Sequence, residues 1–128
     1  KQRDQEDALT HNGKDGCRQC VIYRLHTVHI YKKHADQVDA VLKLLIEKGK
    51  GIEINTAGLD KGLKEQHPCA EFIRQYRKKG GEIITVGSDA HRPEDIGRHF
   101  DHAADVLKEC GFSYYCTFEK RVPAFHKL

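Results

Sequence analysis

The sequence predicts an α/β domain built on parallel strands, and three observations carry that prediction. Apolar residues recur at helical spacing in three separate stretches from His34 onward. Between these stretches lie short β-branched runs, Ile52-Glu53-Ile54-Asn55 and Ile83-Ile84-Thr85-Val86, bounded by glycine. A third, aromatic-rich run from Phe112 to Phe118 follows the last helical stretch. The order α-β-α-β-α-β has crossovers long enough to bring each strand back parallel to the one before. That describes an α/β layer or part of a barrel.

Each element has its own signals. Val38, Val41, Leu42, Leu45 and Ile46 mark one helical face, with Asp36, Gln37, Asp39, Lys43, Glu47 and Lys48 around it. Gly49 and Gly51 end that helix, and a strand over Gly51–Asn55 is closed by Thr56-Ala57-Gly58. Pro68 stands where a first helical turn tolerates it, and Ala70, Phe72, Ile73 and Tyr76 give the second apolar face. Arg77-Lys78-Lys79 complements that helix's C-terminus before Gly80 stops it. The strand Glu82–Val86 comes next. Pro93-Glu94-Asp95 then offers a proline and two acids at a helix start, and Ile96, Phe100, Ala103, Ala104 and Leu107 carry the third stripe up to Gly111.

Composition bounds what such a chain does. Of its 128 residues, 38% are hydrophobic and 32% charged, which suits one globular domain with a real core. Residues 1–25 are polar with no sustained period, and are expected to be mobile or foreign to the fold, leaving 26–128 as the domain. A net charge of +3 with both signs interspersed is too small to argue for nucleic acid. No apolar run reaches membrane-spanning length and no signal-peptide pattern opens the chain, so a cytoplasmic setting is the default expectation. The five cysteines are unevenly spread and read as reduced thiols. Cys17-Arg18-Gln19-Cys20 has zinc-knuckle spacing, but no second pair follows at the matching distance, so coincidence is favoured.

The chemistry gathers where strands end. In the stretch IITVGSDAH, an extended chain past Ser88 points Asp89 and His91 to one side. A converging carboxylate and imidazole make half of a metal site, better suited to Zn, Mn or Fe than to Mg alone. The bland alternative is an aspartate capping the next turn beside a surface histidine. Glu53, Asn55 and Arg121 also fall in or just after strands, and parallel α/β folds bring those carboxyl ends to one face. Glu53 could equally face solvent, and Asn55 could simply start a turn. His67 reads as a helix-start residue, and His99 and His102 as a solvated helix face. Ser88 has no base and orienting group beside it, which disfavours nucleophilic catalysis.

The segments GIEINTAGL, IITVGSDAHRPEDIG and GFSYYCTFEKR together resemble the C-terminal third of histidinol-phosphate phosphatases of the polymerase-and-histidinol-phosphatase (PHP) family. The likeness runs from about His34 to Leu128. It implies the C-terminal half of a distorted (β/α)7 barrel, with two or three divalent metals (Zn, Mn or Fe) at the strand ends. It also implies phosphate monoester hydrolysis, with histidinol phosphate, in histidine biosynthesis, as the small phosphorylated substrate. By resemblance, Asp89 and His91 are catalytic and metal-binding, and Glu53 and Asn55 face the site. His26 matches a further metal-binding histidine, although Leu25-His26 replaces the usual Gly-His. Arg92 and Arg121 become phosphate partners, since a guanidinium grips phosphate oxygens with two parallel bonds.

The family opens on a His-x-His strand, and this sequence has no His-x-His. An incomplete part of the barrel is therefore expected, weak as a catalyst by itself and open to self-association through unpaired sheet edges. A PHP phosphoesterase or nuclease acting on nucleic acid, and a non-catalytic fragment, remain the alternatives. EINTAGL and FEKR favour the phosphatase, and neither a membrane nor nucleic acid is favoured as a partner.

Overall fold

A computed structural model describes residues 31–128. His26, the segment 1–25 and the Cys17/Cys20 pair lie outside the described residues. The order is α1 (Ala35–Glu47), β1 (Ile52–Asn55), α2 (Ala57–Asp60), α3 (Ala70–Lys78), β2 (Ile84–Gly87), a 3-10 turn (Pro93–Asp95), α4 (Phe100–Glu109), β3 (Tyr114–Glu119) and β4 (Val122–Lys127).

β1 and β2 pair in parallel, with Ile52 opposite Ile84 and Asn55 opposite Gly87. The alternation of a strand then divides the residues by face. Ile54 and Ile84 are fully buried against Leu42 of α1, Ile73 and Tyr76 of α3, and Ala103 and Leu107 of α4. Glu53, Asn55, Thr85 and Gly87 occupy the opposite, polar face. α3 is fastened to the strand entry by Tyr76, whose hydroxyl donates to the Ile83 carbonyl at 3.0 Å while its ring lies against Phe112. Burial pushes the Tyr76 phenol up from its ordinary value, so it stays a donor.

The third strand departs from expectation. β3 pairs antiparallel with β4, a strand the sequence did not announce, in place of joining a parallel ladder. Glu119 opposes Val122, which leaves Lys120 and Arg121 as a two-residue loop with φ of 49° and 69°. Two left-handed central residues match the right-handed twist of a hairpin, but Asn-Gly is the usual signal and Lys-Arg hides it. β3 nevertheless lies beside β2. Glu82, just before β2, lines a cavity with Ser113 and Tyr114, while Val86 lines another with Tyr115, Cys116 and Thr117.

Other corrections are smaller. The helix expected from Pro93 is only a 3-10 turn, and α4 starts at Phe100 behind His99, whose φ of 60° breaks the run. Ile96 is consequently 74% exposed and leaves the third stripe. Pro68 precedes the N-cap, Cys69, and does not open α3. On α1 only Leu42 is fully buried; Val41 and Leu44 are about half exposed, at 53% and 54%. Ile54 and Ile84 are covered, and the exposed apolar side chains sit on α1, Ile96, Phe100 and the hairpin. Among the described residues, no helix is long and apolar enough to cross a membrane.

Candidate active site

The parallel register decides which residues share an edge. β1 ends at Asn55 opposite Gly87, the last residue of β2, so everything just beyond either strand emerges on the same side of the pair. Asp89 follows two residues after Gly87. Its Oδ1 lies 3.9 Å from Nε2 of His91, and both side chains are exposed. The predicted convergence is present, but not through the pleat of an extended strand. β2 stops at Gly87 and Asp89 takes a φ of 50°, so a turn brings the two groups together. Short polar residues such as aspartate tolerate that left-handed conformation best after glycine and asparagine.

An oxygen and a nitrogen 3.9 Å apart are within a small side-chain rotation of sharing one cation. Neighbouring donors on a tetrahedral ion with bonds of about 2.0–2.1 Å stand roughly 3.3 Å apart. A carboxylate with a neutral imidazole is also the right donor chemistry for Zn, Mn or Fe. The pair fits as part of a ligand set. Among the described residues no group of three or more His, Cys, Asp or Glu side chains converges.

Glu53 lies on the polar face beside β2. A Cβ built on Gly87 would come within 2.9 Å of its Oε1, so the missing side chain at Gly87 leaves room for this carboxylate to lie across the strand. Among the described residues the side chains of Glu53, Arg92 and Arg121 make no hydrogen bond or ion pair, and all three are exposed. Arg92 follows His91 directly, while Arg121 sits in the hairpin loop beyond β3.

Asn55 realises its turn alternative. Its Oδ1 accepts from the backbone N–H of Ala57 at 3.0 Å, folding the chain from β1 into α2. Its backbone also exchanges two hydrogen bonds with His67, at 2.7 and 2.9 Å. That contact places His67 at the strand end, where sequence reasoning had seen only a helix start. Its ring lies beside Gly58, and burial lowers its pKa, with Glu65 acting in the opposite direction. No periodic signal could have found it, because an isolated bridge leaves no pattern. His99 and His102 are not solvated bystanders: His99 Nε2 lies 2.9 Å from Asp60 and His102 Nε2 lies 3.1 Å from the buried Gln66.

Comparison with known proteins adds a family context to this geometry. No family model matches the chain. It is 35% identical over 92 residues to a probable histidinol-phosphatase of Thermotoga maritima, covering 72% of this chain and 39% of that protein. Against the histidinol-phosphatase of Lactococcus lactis it is 32% identical over 78 residues, 61% of this chain and 29% of the other. A probable phosphatase of Thermoanaerobacter is 37% identical over 76 residues, 59% of this chain and 31% of that protein. The chain thus spans between about 29% and 39% of the length of these relatives.

Proposed function

We propose that this chain, a homologue of proteins named histidinol-phosphatase, is part of a metal-dependent phosphatase that hydrolyses histidinol phosphate. The observation that carries the reading is the Asp89–His91 pair, 3.9 Å apart on the carboxyl edge of two parallel strands. The division of the sheet into a helix-covered apolar face and a polar face bearing Glu53 and Asn55 supports a wider frame. In a barrel of this kind helices cover the outside of the strands, and site residues come from the strands' carboxyl ends.

In this reading Asp89 and His91 hold one divalent ion, Zn, Mn or Fe, and Glu53 would have to swing toward them to serve as a further ligand, since no three such side chains converge among the described residues. His26, the other proposed ligand, lies outside the described residues. When bound, such ions lower the pKa of water and neutralise charge on the phosphoryl oxygens. The chain's own residues do the rest. The carboxylate of Asp89 would orient the attacking water, take a proton from it and pass that proton to the leaving alkoxide oxygen. His91 would offer a ring nitrogen lone pair to the ion. Arg92 and Arg121 grip the phosphate, and Asn55 places a polar group at the rim.

The test is phosphate release from histidinol phosphate with Mn(II) or Zn(II) supplied, run beside a single-stranded oligonucleotide. Slow, metal-dependent release that disappears in Asp89→Ala and His91→Ala is expected, with no cleavage of the oligonucleotide. Undiminished release in both variants, or cleavage of the oligonucleotide alone, would overturn the reading.

A further inference from the structure

The segment that carries Asp89 and His91 is closed on itself and then tied down elsewhere. Gly97 donates its N–H to Ser88 Oγ at 3.2 Å, which pinches residues 88–97 into a loop. One tie reaches this loop from the end of β1. Thr56 is fully buried, and its hydroxyl donates to the Arg98 carbonyl at 2.7 Å. The Thr56 N–H meanwhile donates to the carbonyl of Gly87 at 2.9 Å, at the start of the same loop. A single residue therefore holds both feet of the loop, one through its backbone and one through its side chain.

A second tie reinforces the far foot. Asp60, at the end of α2, accepts from Arg98 Nε at 3.0 Å and lies 2.9 Å from His99 Nε2, while Arg98 also reaches Asp95 at 2.8 Å. These ion pairs are partly exposed and each contributes little by itself. The buried hydroxyl is different. Its hydrogen bond to the Arg98 carbonyl comes from a fully buried side chain and is lost outright when the hydroxyl is removed.

We propose that Thr56 is a positioning residue for the Asp89–His91 pair. It holds the two feet of the 88–98 loop at the end of β1, so that the turn at Asp89 presents both side chains together. The importance of that pair rests on the function proposed above, but the loop itself can be tested without any turnover.

The experiment uses the 128-residue chain with Thr56→Val, which keeps the shape and deletes the hydroxyl, and Thr56→Ser, which keeps the hydroxyl. Amide hydrogen exchange is read at Gly97 and across residues 88–92, with the His91 ring signals as a local signature. Thr56→Val is expected to speed exchange there at least tenfold, leave Ile54 and Ile84 amides near wild type, and move the His91 ring shifts toward free-histidine values. Thr56→Ser should restore all three. Should Thr56→Val not fold, Asp60→Asn carries the test, with a smaller acceleration confined to the same loop. Wild-type exchange at Gly97, a uniform acceleration that includes Ile54 and Ile84, or no rescue by serine would each overturn the proposal. Failure of phosphate release in the unmodified chain would count against the phosphatase reading and leave these outcomes unaffected.

Discussion

Replacing Gly51 by alanine tests the register on which the whole site depends. A Cβ at Gly51 would lie 2.4 Å from Ile83 Cγ2 and 2.5 Å from the Ile83 carbonyl oxygen. The second contact is with backbone, so no rotamer change relieves it, and β1 must move away from β2 at its first rung. The Ile83 carbonyl there accepts from Ile52 N–H at 3.1 Å and from the Tyr76 hydroxyl at 3.0 Å. Overpacking of this kind costs about 1–3 kcal/mol, and weakening two hydrogen bonds adds about 1 kcal/mol each. The sum, roughly 3–5 kcal/mol, is a large part of an ordinary domain's stability. Gly49→Ala is the control. Gly49 has a φ of 62° and open space around it, so it loses only the left-handed strain, about 1 kcal/mol. Urea unfolding followed by circular dichroism reads both. If Gly51→Ala proves as stable as Gly49→Ala, the close parallel entry of β1 and β2 is wrong and the shared strand edge goes with it.

Three further outcomes follow from particular residues. Lys120→Asn with Arg121→Gly should stabilise the hairpin by about 1 kcal/mol per residue, since both positions are left-handed; the same change should raise KM for histidinol phosphate if Arg121 grips phosphate, and a stabilised variant with unchanged KM would remove that role. Burial lowers the pKa of His67, so the unfolded chain takes up the proton first: stability is full above the ordinary value of about 6.5 and falls as pH drops below it toward the folded value. His67→Gln should flatten that slope in urea titrations between pH 7 and 5, and an unchanged slope would refute it. Burial raises the thiols of Cys69 and Cys110 above their ordinary range, so both should react with a disulfide reagent far more slowly in the folded chain than in urea. Equal rates would contradict their burial.

Much of this was legible because it rests on local periodicity. Leu42, Ile73, Tyr76 and Leu107 came directly from helical spacing, and Ile54 and Ile84 lie in the two β-branched runs read as strands. The Asp89–His91 pair was legible from two residues, although its mechanism of approach was not: a left-handed aspartate is a property of the turn, which spacing alone does not encode. β4 escaped because Val122-Pro123-Ala124-Phe125 carries a proline and follows a loop without glycine. The roles of Thr56, Gln66 and His67 depend on partners roughly ten to forty positions away in sequence. Contacts of that kind are set by tertiary packing and leave no trace in a window of neighbours.

The central claim, that Asp89 and His91 hold a divalent metal together, is tested most directly by adding Mn(II) to the chain and following its nine histidine ring signals by NMR. Paramagnetic broadening should reach His91 at the lowest metal concentration, before His99, His102 or His126, and Asp89→Asn should remove that preference. A His91 signal that stays sharp while the other histidines broaden, or one that broadens equally in Asp89→Asn, would contradict it.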